Sequence, residues 1–238
     1  MRNISYRRRL LVAGISAGAA SVGVPSLRAE DGESKEKEVK AVEDLMREHG
    51  VLRRALLVYT AAAARLRSGE GEVPADALMR TAQLFRAFGE DYHERMLEEQ
   101  YVFTALASVK GPVGQLPDVL KVQHERGRAI NDYVTSVTRA GSISSANARP
   151  LAAALDALVL MYRQHAAVED TVVFPAWKEA VSGKDYDELT DRFEELEHQM
   201  FGEDGFEDAV ARISAIEETL GIADLAAFTA PVPPNAQP

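Results

Sequence analysis

Cysteine is absent from the 238 residues, which removes disulfides, thiolate metal sites, iron–sulfur clusters and cysteine nucleophiles together. Any metal must be held by nitrogen and oxygen from His, Asp and Glu. Positive charge is scarce: 27 Lys+Arg stand against 37 Asp+Glu, a formal net charge of −10. That balance is the opposite of the clustered basic face that nucleic acid requires, so a nucleic-acid partner is excluded. Aromatic residues make up only 7%. Long apolar runs are missing too, since the stretch 10–24 is too short and too rich in Ala, Gly and Ser for a span of about 20 apolar residues. Strand-like alternation is lacking, so no Gly-rich phosphate loop follows a strand, and no Ser/His/Asp constellation stands out. No catalytic residue is assigned. What is present, 46% hydrophobic residues, is ample for a buried core.

The first 29 residues read as an address. Their only charges are Arg2, Arg7, Arg8, Arg9 and Arg28, flanking a weakly apolar stretch, which is the pattern of an export signal. The consecutive arginines before Leu10 and Leu11 resemble the twin-arginine signal that carries folded proteins across a bacterial inner membrane. Cleavage after Ala29 would release a periplasmic protein with no membrane span, and would take the net charge from −10 to −15. An uncleaved N-terminal anchor is the alternative.

From Glu33 onward apolar residues recur at three- and four-residue spacing, so the class is all-α. The spacing predicts helices over about 36–68, 74–110, 117–141 and 150–180, punctuated by Gly69–Gly71, Pro74, Gly111-Pro112 and Gly141. Pro175 is expected to kink or interrupt the last of them. Four long helices with short links make an antiparallel four-helix bundle over 36–182. Two shorter accessory helices follow in 184–222, which cap the bundle or pair with another subunit in a homo-oligomer, and a Pro/Ala-rich tail occupies 223–238.

Four of the five histidines fall one per predicted helix, near the middle: His49, His93, His124 and His165. In an antiparallel bundle, mid-helix positions share one layer, and His49 lies on the apolar stripe of Leu45, Met46 and Leu52. A lone interior His is usually a core residue with one hydrogen-bond partner. Four in one layer need a shared partner, because unpaired buried polar groups cost about 1–3 kcal/mol each, and a metal is such a partner. Glu169 follows His165 by four residues, so both can point at one centre. On the second helix Glu94, Glu98 and Glu99 follow His93, and Glu98, like Glu169, stands five residues before a Phe.

These residues resemble the hemerythrin-like, or HHE cation-binding, family. The resemblance covers roughly Val39 to Ala180: one His on the first helix, His plus acid on the second, one His on the third, His plus acid on the fourth. It implies a non-haem centre of two iron ions, with His49, His93, His124 and His165 as ligands and Glu98 and Glu169 as bridging carboxylates. The His93 to Glu98 spacing is five, about 140° apart on a straight α-helix, so one turn is widened by a π-bulge or Glu94 or Glu99 serves instead. The third helix carries only His124, where oxygen-carrying members have a second His; position 128 is Arg128. Imidazole and carboxylate also suit manganese or zinc.

The function implied is binding or sensing of a small ligand (dioxygen, nitric oxide or peroxide) or iron handling, since no obvious base is present. A di-iron enzyme reducing peroxide or nitric oxide is the alternative. Glu90-x-x-His93 and Glu195-x-x-His198 keep a ferritin-like iron protein as a further alternative, and a metal-free helical interaction protein is the last. Trp177 reads as packing rather than as a redox centre.

Overall fold

A computed structural model of the chain describes residues 39–69, 71–202 and 204–233, so the arginine-rich segment lies outside the described residues. The described residues form helices and no strand. Helix α1, Ala41–Ser68, carries Glu43 and Asp44 in its first turn and Arg65 and Arg67 in its last, the signs that complement the helix dipole. Gly69 ends it at φ 69°, with its N–H on the Arg65 carbonyl. That left-handed conformation favours glycine.

Helix α2 covers 75–106 as one rod, α-helical over Ala75–Leu84, π-helical over Phe85–Val102 and α-helical again over Phe103–Leu106. After a 3₁₀ turn at Pro112–Gln115 comes α3, Leu116–Thr138. Helix α4 covers 145–180: Ser145–Val168, a π turn at Glu169–Val173, then Phe174–Ala180. It begins before Pro150, the start expected from sequence, because the Ser144 side chain caps it by accepting the Asn147 N–H at 3.3 Å. Pro175 does not interrupt it. The π turn shifts the hydrogen-bond register just ahead of the residue that has no N–H to give.

Neighbouring helices run antiparallel. Between α1 and α2, Glu48 meets His93 and Tyr59 stacks on Phe85. Between α2 and α3, Arg86 meets Asp132 and Glu99 meets His124. His49 meets Asp170 and Arg67 meets Asp156 between α1 and α4. In each pair one residue number rises as the other falls. This is the four-helix bundle read from the apolar spacing, with Tyr59, Phe85, Phe88, Leu45 and Leu78 among its fully buried side chains.

Helices α5, Gly183–Phe201, and α6, Gly205–Leu220, fold back onto the same bundle. Helix α5 completes the start of α1, where Lys40 offers no side-chain cap: Thr190 Oγ1 accepts the Ala41 N–H at 3.2 Å and the Tyr186 hydroxyl accepts that of Val42 at 3.0 Å. Trp177 is fully buried, its ring 5.7 Å from Phe193 and nearly parallel to it, so it joins α5 to α4 as packing. Helix α6 is tied to α1 through Arg54 and Glu217, 2.5 Å apart. No helix among the described residues is long and apolar enough to cross a membrane.

Candidate metal centre

The two π segments decide which carboxylates face inward. In each, a Phe N–H bonds the carbonyl five residues back, Phe103 to Glu98 and Phe174 to Glu169. An α-helical register would set Glu98 about 140° away from His93; the i→i+5 register stacks it one turn above. The two phenylalanines close the layer, Phe103 stacking on His124 with centroids 5.6 Å apart and Phe174 on His49 at 5.4 Å.

All four histidines and both inward glutamates are buried. Glu98 Oε1 is 3.3 Å from His93 Nε2, while its Oε2 is 3.4 Å from His124 Nε2. Glu169 Oε2 is 3.0 Å from His165 Nε2 and 3.4 Å from His49 Nε2. Among the described residues three ligand-like groups result: His49, His93 and Glu98; His124, His165, Glu98 and Glu169; and Glu94, Glu99 and His124, with Glu98 common to the first two.

The other ring nitrogen of each histidine is engaged. Nδ1 of His49 meets Asp170 at 2.7 Å, that of His93 meets Glu48 at 2.6 Å, that of His124 meets Glu99 at 2.9 Å, and that of His165 meets Gln123 at 2.8 Å. All four partners present acceptor oxygens, so Nδ1–H donates outward and the Nε2 lone pair is left facing the centre. His124 and His165 then bring two Nε2 atoms within 3.1 Å of each other. The four anchors follow one rule: Glu48, Glu99, Gln123 and Asp170 are each the chain neighbour of an inward residue, yet each serves a histidine of a different helix.

Without a cation, protons hold this lattice together. Burial would lower His93 and His124, but neighbouring carboxylates, chiefly Glu98 for His93 and Glu94 and Glu98 for His124, outweigh it: His93 rises well above its ordinary value and His124 to about 10. His49 is raised likewise, against its burial, by Asp170 and Glu169. The carboxylates answer in the other direction. Burial pushes Glu98 and Glu169 up, yet the facing imidazoles hold both below the usual carboxylate range, and Glu99 falls to about 2 against its burial through His124 and Arg128.

Of the residues singled out from sequence, the structure brings His49, His93, Glu98, His124, His165 and Glu169 together, and places Glu94 in a neighbouring group with Glu99 and His124. Glu94 Oε1 accepts the Tyr162 hydroxyl at 2.5 Å and its Oε2 is 3.1 Å from Arg128 Nη2. Arg128, at the position where a second histidine is found in oxygen carriers, also reaches Glu99 at 2.7 Å. Glu90 turns to Asn131, 2.6 Å away, and Glu195 to Arg192, so neither joins the converging groups. Glu48, Gln123, Asp170 and Arg128 are the partners sequence reasoning missed; their signal was a polar residue beside, or one turn after, each inward ligand.

Beside the centre lies a cavity of about 10 Å³, room for one water-sized molecule. His49, His93, His165, Leu52, Leu56 and Tyr162 are on its lining, and Arg53 is its one exposed lining residue. Arg53 bonds Asp170 across the α1–α4 seam.

The donors fit a metal. His93 Nε2 and both oxygens of Glu98 and of Glu169 are buried without a hydrogen-bond partner, which is costly unless a cation satisfies them. Comparison with known proteins agrees with the geometry. The family model described as the hemerythrin HHE cation binding domain matches residues 40–177. The chain is 42% identical over 233 residues to an uncharacterized protein of Mycobacterium bovis and equally to uncharacterized proteins of two Mycobacterium tuberculosis strains, covering 94% of this chain and 90% of each relative. No solved structure matches.

Proposed function

The chain belongs to the hemerythrin HHE cation-binding family, and from that premise we propose that it holds two non-haem iron ions and binds or senses a small oxygen or nitrogen ligand at them. His49, His93 and Glu98 would hold one ion, and His124, His165, Glu98 and Glu169 the other, with Glu98 shared. The observation that carries this reading is the division of labour within each histidine: an Nδ1 tied to an acceptor and an Nε2 aimed at buried, unsatisfied carboxylates. Core histidines placed for packing alone have no reason to share that polarity. Manganese and zinc suit the same donors, and iron is favoured by the family.

An iron pair supplies open coordination positions and one-electron chemistry. The chain's own residues do the rest. Glu48, Glu99, Gln123 and Asp170 fix the rings before any metal arrives, so little reorganisation opposes loading. Leu52 and Leu56 give the cavity apolar walls, and its volume of about 10 Å³ would limit its occupant to about the size of one water molecule. Arg53 stands where that occupant must enter. Binding or sensing is the reading we prefer, with enzymatic reduction of peroxide or nitric oxide, which would need a route for electrons, as the second.

We infer export from the Arg7-Arg8-Arg9 segment, which would deliver the folded, loaded protein to a periplasmic or equivalent compartment. Metal content per chain tests the site: the wild type should retain two ions through purification without chelator, and the double substitution His165→Ala with Glu169→Ala should lose at least one. Equal metal in both would remove the assignment.

A further inference from the structure

We propose that an open cleft between the start of α1, the end of α4 and the start of α5 binds organic carboxylates, with the charged head among Lys40, Arg47 and Lys178 and the apolar body on Val42 and Met46. The inference goes beyond the metal reading and does not depend on it. The cleft has a volume of about 480 Å³ and is lined by these five residues, Glu43 and Tyr186. That is the size of ordinary small-molecule sites.

Charge argues for an anion. Three cations meet here in a chain whose net charge is −10, and Glu43 is the one acid among the described residues on the lining. Asp187 meets Lys40 at 3.0 Å and Asp44 lies 3.8 Å from Arg47, but neither lines the cleft. The Lys40 pair is exposed on both sides, and such pairs hold their charges weakly. Arg47 is steadied by a stack, its guanidinium carbon 4.0 Å from the Phe206 ring centroid. Stacking engages the face of the guanidinium and leaves its N–H edge to acceptors. Lys178 leans over the cleft wall, its Nζ 5.5 Å from the Tyr186 ring centroid.

A neutral donor joins the cations. Tyr186 is only 7% exposed, its hydroxyl accepts the Val42 N–H at 3.0 Å, and its own proton meets no acceptor among the described residues. A buried O–H is satisfied when an acceptor reaches it, and a carboxylate oxygen in the cleft supplies one. Val42 and Met46, both half-buried, give the apolar part of the floor. Head and body are therefore recognised together. A bare inorganic anion leaves Val42 and Met46 uncovered, and a neutral alcohol leaves the cations unanswered.

Trp177, the sole tryptophan, packs on the Tyr186 ring at 5.8 Å, so its emission reports on the cleft. Titration of the full chain with hexanoate, metal-free and iron-loaded alike, should give a saturable change in tryptophan fluorescence and one site by calorimetry. Acetate, which keeps the head, and hexan-1-ol, which keeps the body, should each bind at least about tenfold more weakly. Lys178→Glu should weaken hexanoate at least about tenfold, and raised salt should weaken it in the wild type. Lys121→Glu, the same charge change on α3 and off the lining, should leave it within about twofold. Failure of hexanoate to saturate, equal affinity for the three probes, or equal loss in the two variants overturns the inference. Binding seen only in the iron-loaded chain places hexanoate at the candidate centre and overturns it too. A wild type that takes no metal yet binds hexanoate in the cleft removes the metal reading alone.

Discussion

Glu48→Gln changes one oxygen to nitrogen in a residue with no place among the inward ligands, and its consequence can be worked out from the contacts around it. Glu48 is fully buried, and its Oε2 accepts the His93 Nδ1 proton at 2.6 Å. With a metal bound as proposed, the carboxylate would orient the imidazole and raise its basicity toward the metal, a contribution whose removal typically costs about 10–100-fold in metal affinity. That factor corresponds to about 1.4–2.7 kcal/mol. The amide retains one acceptor oxygen, so the ring stays held while the charge is lost, and the low end of the range is expected. Competition against a chromophoric chelator should show about tenfold weaker binding at the weaker of two sites, with stoichiometry still two at saturating metal. His93→Ala should instead abolish that site. An affinity within twofold of wild type would refute the claim that the outer partner tunes His93. Complete loss of fold would refute the account of Glu48 as an electrostatic partner and make it a structural one.

Four further outcomes follow from the structure. Acid should release the metal, because His49, His93 and His124 of the proposed ligands are raised in its absence and compete for protons, so metal retained against dialysis should fall as pH drops through the histidine range. In the metal-free chain Glu99 is lowered to about 2 from 4.5, so its contribution to stability is present above about pH 4.5 and is lost toward pH 2; urea midpoints measured from pH 6 down to 3 should decline accordingly. Gly127→Ala forces a Cβ against Tyr162, and overpacking of this kind should destabilise by about 1–3 kcal/mol, seen as a lowered Tm. Trp177→Ala, at a fully buried stack with Phe193, should cost about 3–5 kcal/mol in equilibrium unfolding while leaving metal stoichiometry unchanged.

Much of this architecture was legible from residue spacing alone. Apolar periodicity located four long helices because each buries one stripe, and the one-per-helix placement of His49, His93, His124 and His165 identified the layer. The five-residue step from His93 to Glu98 required a widened turn if Glu98 was to serve, and the π register supplies it. The start of α4 was misread because Pro150 is a strong local signal, whereas the Ser144 cap acts through a side-chain bond that outweighs a proline within the first two turns. The outer anchors were hidden for another reason. Glu48, Gln123 and Asp170 act on histidines of other helices, so their roles depend on how the helices face each other, which no spacing within one helix encodes. Glu94 and Glu98 were likewise separable only by the hydrogen-bond register of α2.

The most direct test of the central claim is the metal-to-chain ratio, measured together with the visible spectrum, of the full chain expressed with iron and purified without chelator. The account predicts two irons per chain and a ligand-to-iron absorption that shifts when a small anion is added. No bound metal, or a single zinc with a featureless spectrum, would contradict it.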